Sequence, residues 1–340
     1  MKAVVLAAGL GTRLHPVTQW IPKPMVPLFG RPILEWNLRQ LRQAGITEVI
    51  VNLHHHPLQI VHHLGDGSSL GLRIHYSLEP QILGTAGGLK KVEKLLEGGA
   101  FLVVNADTFR RIDIRRMLRF HRKKGGVLTL LLQENPHLAA SRAIRVDRRG
   151  RIRGFLDLFP ERRQAKWRKM EFLGVQVVEP EVLSFIPRGQ PWEMRRVFAA
   201  LLHAGMPLQG FVTRQYWQDL GTLGAYRQIH VDVLEGRCPL PLPASPVDKG
   251  VWMGRGIRLR PGAVLDPPVF VGEGCVIGSG ARIGPHAVLG RECIVGTGAR
   301  VVRSILWDGA RVSVQEVVED QLLAPSFRCA LPPLEDPVGS

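Results

Sequence analysis

At 340 residues the chain is long enough for two domains with a full core in at least one. Its 45% hydrophobic and 22% charged residues are ordinary for a soluble globular protein, and no apolar run approaches a membrane span. The net charge of +16 suits attraction of phosphorylated substrates, whereas aromatics at only 6% and basic residues spread along the chain argue against nucleic acid.

The segment Val4 to Leu10 is too short and too lightly flanked for a signal peptide, which leaves a cytoplasmic protein as the default. Cys238, Cys275, Cys293 and Cys329 show no C-x-x-C spacing, so neither a metal knuckle nor a disulfide framework is expected.

Lys2 to Leu6 reads as a short buried strand. Gly9 and Gly11 follow, letting the backbone pass close to a ligand with its N–H groups exposed. Thr12, Arg13 and Lys23 add a hydroxyl and two cations, and Pro16, Pro22 and Pro24 stiffen the excursion that carries Lys23. Amide donors plus cations are what a polyphosphate needs. The loop is not the dinucleotide G-x-G-x-x-G, because Leu14 stands at the last position, nor is it G-x-x-x-x-G-K-[ST]. Taken alone, the Gly-x-Gly pair also fits a tight βα turn.

Farther along, Ile33 to Ala44 has helical spacing and stops at Gly45, and Glu48 to Leu53 is a second strand. His54, His55, His56, His62 and His63 crowd the next loop and helix. No Cys or carboxylate stands among them in a ligand spacing, so they are read as solvent-facing and not as a zinc site. Arg73 to Leu78 is a third strand, followed by the glycine-rich entry Gly84-Thr85-Ala86-Gly87-Gly88. Phe101 to Asn105 is a fourth, and Asp107 beyond it lies where α/β sheets place ligand chemistry; a helix-capping Asp is the alternative. A helix from Ile112 to Lys124, a strand from Val127 to Gln133 and a hairpin over Ala143 to Leu156, turning at Asp147 to Gly150, continue the alternation. A mostly parallel sheet with a small antiparallel addition follows from this order. A helix from Ala225 to Glu235 closes the domain.

The string LAAGLGTRLHPVT…PKPMVPLFGRPILEW closely resembles the signature of the sugar-1-phosphate nucleotidyltransferases, the family of mannose-1-phosphate guanylyltransferase and glucose-1-phosphate thymidylyltransferase. That resemblance implies a Rossmann-like α/β fold with helices on both faces of the sheet. It implies an NTP and a sugar 1-phosphate as substrates and an NDP-sugar and pyrophosphate as products. Ala8, Gly9, Gly11, Thr12, Arg13, Lys23, Gly84, Thr85 and Gly87 would bind the nucleotide. VVNADT resembles the segment whose Asp holds Mg²⁺, and Tyr216 to Thr222 resembles Tyr-Trp-x-Asp-Ile-Gly-Thr, whose Asp is the second carboxylate. Asp107 and Asp219 are therefore expected on one Mg²⁺, with Arg13, Lys23 and Asp107 as the catalytic set. Phe172 to Val177 resembles the segment whose Gly, here Gly174, lies beneath the sugar. Where relatives carry Glu-Lys-Pro, this chain has Phe155-Leu156-Asp157-Leu158-Phe159-Pro160. Asp157 stands for the Glu, and Arg162, Arg163 or Lys166 for the Lys.

Pro239 to Pro243 reads as a stiff linker. Beyond it a six-residue period places apolar residues at Met253, Leu259, Leu265, Val271, Ile277, Ile283, Leu289, Val295 and Val301, with small residues two places earlier at Cys275, Ala281, Ala287, Cys293 and Ala299. This is the hexapeptide pattern of a parallel β-helix, expected to be left-handed, with about three coils of eighteen residues. It puts Cys275 and Cys293 in the core. The expected domains are 1–238 for catalysis, a linker at 239–250, a β-helix at 251–325 and a tail at 326–340. The β-helix points to a homo-oligomer and leans towards GTP and mannose 1-phosphate, with thymidylyl or uridylyl transfer to glucose 1-phosphate or another sugar 1-phosphate as the alternative. A hexapeptide acyltransferase is disfavoured because His286 has no evident partner in the sequence. Retention of Arg13, Lys23, Asp107 and Asp219 disfavours an inactive regulatory subunit.

Overall fold

The computed structural model describes residues 1–139, 143–155 and 167–333. It divides into two compact units. The first comprises Met1–Leu10, Pro22–Pro24 and Leu34–Trp217, and the second Gly11–Ile21, Met25–Ile33 and the chain from Gln218 onward.

The first unit is built on a nine-stranded sheet. Its strands are β1 (Lys2–Leu6), β2 (Glu48–Leu53), β3 (Arg73–Leu78), β4 (Phe101–Asn105), β5 (Leu128–Glu134), β6 (Ile144–Val146), β7 (Ile152–Phe155), β8 (Arg168–Val178) and β9 (Leu208–Val212). The order is β7-β6-β8-β4-β1-β2-β3, with β5 pairing β8 and β9. β4, β1, β2 and β3 run parallel, as do β5 and β9. β8 lies antiparallel to β4, β5 and β6, so the antiparallel share exceeds the single hairpin expected from sequence. The parallel centre explains the apolar runs. Ala3, Val4, Val5, Val49, Ile50 and Val51 are all at 0% exposure, because a central parallel strand is covered on both faces. Burying each such Val or Ile contributes about 1.5–3 kcal/mol.

The helices begin with α1 (Ile33–Gln43), α2 (Pro57–Leu64), α3 (Gly84–Lys91), α4 (Ile114–Lys124) and α5 (Met194–His203). Asp113 caps α4 by accepting from the Arg116 N–H at 2.9 Å, and Gly125 ends it in the left-handed region at φ 59°. Its Arg115, Arg116, Arg122, Lys123 and Lys124 are exposed and form a solvated basic face. The β6–β7 hairpin forms as read, with Gly150 at φ 82°.

The second unit holds a stack of coils. One face is a seven-stranded sheet whose five middle strands, Val251–Met253, Val269–Val271, Ala287–Leu289, Ile305–Leu306 and Gln321–Leu323, are parallel. The other two faces have four parallel strands each. Four complete coils therefore stack, one more than the repeat suggested. The reason lies in the spacing. Val269 pairs with Ala287 eighteen positions on, but Val288 pairs with Ile305 seventeen positions on, so the six-residue pattern loses its phase after Val301. The glycines that follow the inward apolar residues have a steric cause. A Cβ at Gly278 or Gly296 would lie 2.5 Å from the Thr297 or Val314 nitrogen of the next coil. Cys275 and Cys293 are at 0% exposure among the aliphatics of this core.

Both ends of the seven-stranded face are extended by antiparallel strands. The stretch read as linker contains the strand Ser245–Asp248, which pairs antiparallel with Val251–Met253, and the tail contributes Arg328–Ala330, antiparallel to Gln321–Leu323. Backbone donors at the ends of that face are thus satisfied by added strands. Helix α6 (Leu223–Leu234), read as closing the first domain, groups with the second unit. Its Arg227 pairs with Asp320 and donates to the Pro332 carbonyl at 2.5 Å, and the Tyr226 hydroxyl accepts from the Trp307 indole at 3.0 Å.

Candidate active site

In the first unit the chain leaves β1 through Ala7, Ala8 and Gly9. The Ala7 N–H donates to Asn52 Oδ1 at 2.7 Å, and Asn52 Nδ2 donates to Glu79 Oε1 at 2.8 Å. The other oxygen of Glu79 accepts from the Leu83 N–H at 2.9 Å. Asn52 and Glu79 are buried, so each hydrogen bond replaces water that the site excludes. The chain of bonds ties the loop start to the entry of α3. Neither residue was assigned a role from sequence, although a polar Asn inside the apolar strand VIVNL was a signal. A Cβ at Gly88 would lie 2.6 Å from Glu79 Oε1, which is why a helix can cross this pair only with glycine there.

Gly9 is exposed, and a Cβ there would meet nothing within 4 Å. Its own chain imposes no need for glycine, which fits a backbone kept open to a ligand. Gly84, Gly87 and Gly174 differ. A Cβ at Gly84 would lie 2.5 Å from Glu193 Oε1, and one at Gly87 would lie 2.9 Å from the Gln190 carbonyl. The Ala86 and Gly87 N–H groups donate to the Trp192 carbonyl at 2.8 and 3.1 Å, and the Thr85 hydroxyl donates to Glu193 Oε2 at 2.6 Å. These residues are small or engaged for packing against 190–193, a cause the sequence did not reveal. Gly174 has φ 74°, and a Cβ there would lie 3.0 Å from the Asn105 side chain at the β4 end.

Asp107 follows β4 in a turn held from several sides. The Ala106 N–H donates to the Leu6 carbonyl at 3.1 Å, and Asn37 Nδ2 donates to the Ala106 and Thr108 carbonyls at 3.2 Å each. Arg110 is 2% exposed and donates to the Thr108 hydroxyl at 2.6 Å and its carbonyl at 3.3 Å. Burial pushes the guanidinium pKa down to about 10, with the Asp107 charge acting the other way, so it stays charged at neutral pH. Lys23, with a side chain only 6% exposed, donates to Asp107 Oδ2 at 2.7 Å. Eighty-four positions apart in sequence, the two residues meet as an ion pair.

In the second unit Gly11 adopts φ 68° and Thr18 donates to its carbonyl at 2.9 Å, shaping the turn that presents Thr12 and Arg13 to solvent. Arg13 Nη2 lies 3.5 Å from Asp219 Oδ2. A Cβ at Gly221 would be 2.7 Å from the Arg13 guanidinium, so the glycine after Asp219-Leu220 makes room for that side chain. Thr222 caps α6, accepting from the Ala225 N–H at 3.2 Å.

Asp157, Arg162, Arg163 and Lys166 lie outside the described residues. Among the described residues no three His, Cys, Asp or Glu side chains gather as a metal nest. His54 bonds the Glu79 carbonyl at 2.7 Å and His63 bonds Glu35 at 3.0 Å, which gives two of the crowded histidines structural partners. Asp107 and Asp219 are 37% and 28% exposed, and their hard oxygen donors suit Mg²⁺, which keeps waters and binds through one or two carboxylates plus phosphates. His286 does have a partner: its Nε2 lies 2.8 Å from Glu235 Oε1, a residue of the α6 end that spacing could not bring to it.

The first unit is an α/β sheet with helices, and the second carries a hexapeptide coil stack. The model of the nucleotidyl transferase family matches residues 2–236, and the chain belongs to that family. The bacterial transferase hexapeptide model (six repeats) matches residues 268–303 and ends where the coil period shortens. The chain is 35% identical to the mannose-1-phosphate guanylyltransferase of Mycobacterium tuberculosis over 281 residues, covering 77% of each chain. It is 33% identical to the UTP–glucose-1-phosphate uridylyltransferase of Synechocystis over 269 residues, covering 75% of this chain and 69% of the relative. In fold it matches the crystal structure of HddC from Yersinia pseudotuberculosis with a TM-score of 0.56 at 24% identity, over 67% of this chain and 96% of that one. Among the described residues no helix is long and apolar enough to cross a membrane.

Proposed function

We propose that the protein joins an NTP to a sugar 1-phosphate, forming an NDP-sugar and pyrophosphate, with GTP and mannose 1-phosphate as the preferred pair. One observation carries the reading. The two cations singled out in the loop, Arg13 and Lys23, each lie against one of the two carboxylates singled out as metal ligands. The family match and the guanylyltransferase relative support it. The uridylyltransferase relative keeps UTP with glucose 1-phosphate as the second reading.

The sugar phosphate is already a nucleophile. One of its oxygens bonds to the α-phosphorus, the bond from that phosphorus to the β-phosphate oxygen breaks, and pyrophosphate leaves. Catalysis then reduces to alignment and charge neutralisation. Gly9 and Gly11 seat the triphosphate against backbone donors, and the α3 entry positions the nucleoside. Lys23 holds its ammonium at the α-phosphate and Arg13 steadies the departing pyrophosphate. Asp107 and Asp219 are the carboxylates assigned to Mg²⁺, which when bound supplies charge neutralisation to the phosphates. Gly174 and Asp157 are assigned to the sugar phosphate. Residues 1–238 are assigned the chemistry, and residues 251–325 packing and assembly as a homo-oligomer.

The test is pyrophosphate release with each of GTP, UTP, dTTP and ATP against mannose and glucose 1-phosphates. The highest kcat/KM is expected for GTP with mannose 1-phosphate. Preference for UTP with glucose 1-phosphate selects the second reading, and no release from any pair removes both.

A further inference from the structure

Within the second unit, the loop that presents Arg13 rests on residues from late in the chain. The loop is built of two short 3₁₀ turns, Thr12–Leu14 and Val17–Gln19, which are too brief to hold a shape alone. Beyond them Trp20, 48% exposed, lies stacked on Phe327, with ring centroids 6.4 Å apart and planes at 11°. Phe327 sits in the turn between Gln321–Leu323 and Arg328–Ala330, which the Ala324 N–H closes by donating to the Phe327 carbonyl at 2.9 Å. Its ring meets that of Trp307 edge-on at 5.2 Å. Trp307 is 9% exposed and its indole N–H bonds Tyr226, so the row of rings is anchored in the packed interior.

A surface aromatic pair is ordinarily packing alone. This one bears on the loop through its hydrogen bonds. The Trp20 N–H donates to the Val17 carbonyl at 3.1 Å, and the buried Thr18 hydroxyl between them reaches the Gly11 carbonyl. That same carbonyl accepts from the Leu14 N–H at 2.9 Å. Whatever fixes Trp20 therefore fixes the turn on which Thr12 and Arg13 stand. The segment Met25–Ile33 is held in a similar way: the Phe29 ring meets Phe270 of the coils edge-on at 5.0 Å, and the Tyr226 hydroxyl donates to the Pro27 carbonyl at 2.5 Å. Offset rings at such spacings hold each other more firmly than their buried area alone would.

We propose that Phe327 is a positioning residue for the nucleotide loop: stacked on Trp20, it holds the Gly11–Arg13 turn in the shape that receives the triphosphate. The consequence for the NTP rests on the nucleotide reading above; the brace does not. Two readouts separate them. Amide hydrogen exchange of residues 11–21, measured without ligand, is expected to quicken about three-fold or more in Phe327→Ala and in Trp20→Ala, and to return to the wild-type rate in Phe327→Tyr. In steady state Phe327→Ala is expected to raise KM about five-fold for the NTP that the wild type turns over best, with kcat and KM for the sugar 1-phosphate little changed. Phe327→Tyr restores that KM, and Trp20→Ala/Phe327→Ala is no worse than either single variant, because both remove one contact. If Phe327→Ala unfolds, Phe327→Leu is measured instead, which keeps bulk and loses the stacking, with the same changes expected. Unchanged exchange at 11–21, or equal quickening at Phe101–Asn105, overturns the brace. With the brace established, an unchanged KM for NTP, or a full effect of Phe327→Ala in the Arg13→Ala background, overturns the positioning role alone. A wild type inert with every NTP overturns the proposed function, and the exchange still decides the brace.

Discussion

The two cation–carboxylate pairs are alike in chemistry and opposite in setting. Lys23 sits 2.7 Å from Asp107 with 6% of its side chain exposed, between two buried prolines; Arg13 sits 3.5 Å from Asp219 with 63% exposed. A buried ammonium has little water to screen it and few rotamers to choose from, so it is preorganised towards one point. An exposed guanidinium is screened and mobile, and its ion pair contributes at most about 1 kcal/mol to stability. On the proposed function, the difference makes a division of labour: a fixed charge for the step in which charge shifts, and an adaptable one for a leaving group that must depart.

Breaking the buried pair from the carboxylate side should have the largest effect. Asp107→Asn is expected to lower turnover by more than about 10³-fold, since it removes a preorganised electrostatic group and a proposed Mg²⁺ ligand together. Pyrophosphate release beside a circular dichroism check of the fold measures this, and activity persisting in excess chelator would count against a metal role. Lys23→Met should follow, with kcat down roughly 10²–10³-fold and KM little changed, as for a group that acts in the transition state. A rise in KM alone would make Lys23 a binding residue only.

Burial rules a titratable group in the second unit too. His230 is 2% exposed, its Nδ1–H donating to the Tyr226 carbonyl at 2.8 Å, and desolvation pushes its pKa down to about 4 while the hydrogen bond acts weakly the other way. The unfolded chain, with an ordinary histidine near 6.5, binds more protons between those values. Stability from this residue is therefore whole above pH 6.5 and drains away as pH falls towards 4, by about 3 kcal/mol in all. Denaturant midpoints at pH 7.5 and 4.5 should converge partly in His230→Asn; an identical pH slope in that variant would remove His230 as the cause.

The exposed pair should yield the smallest losses. Arg13→Ala is expected to cost about ten-fold in kcat/KM, mostly through KM for the NTP, because removal of a screened contact weakens ground and transition states alike. Gly221→Ala places a Cβ against the same guanidinium and should reproduce a few-fold part of that loss by displacing it. Steady-state kinetics of the two variants and their combination gives the check: an effect of Gly221→Ala undiminished in the Arg13→Ala background would show that it acts elsewhere.

Local pattern was sufficient for most elements. Alternation and apolar runs placed Lys2–Leu6, Glu48–Leu53, Arg73–Leu78 and Phe101–Asn105 at their observed bounds, because strand burial repeats within a few residues. The hexapeptide period disclosed the coil stack for the same reason, and was lost where one coil drops a residue. What no window of sequence contains is who stands opposite whom. The Asn52–Glu79 link, the Glu193 and Trp192 contacts that make Gly84 and Gly87 small, Arg110 beneath the Asp107 turn, and Glu235 beside His286 all join residues whose meeting depends on chain crossing and packing. Residue type and order determined the class of chemistry and the architecture. Only the tertiary structure decided which charges are buried, since desolvation is a property of the surroundings and not of the residue.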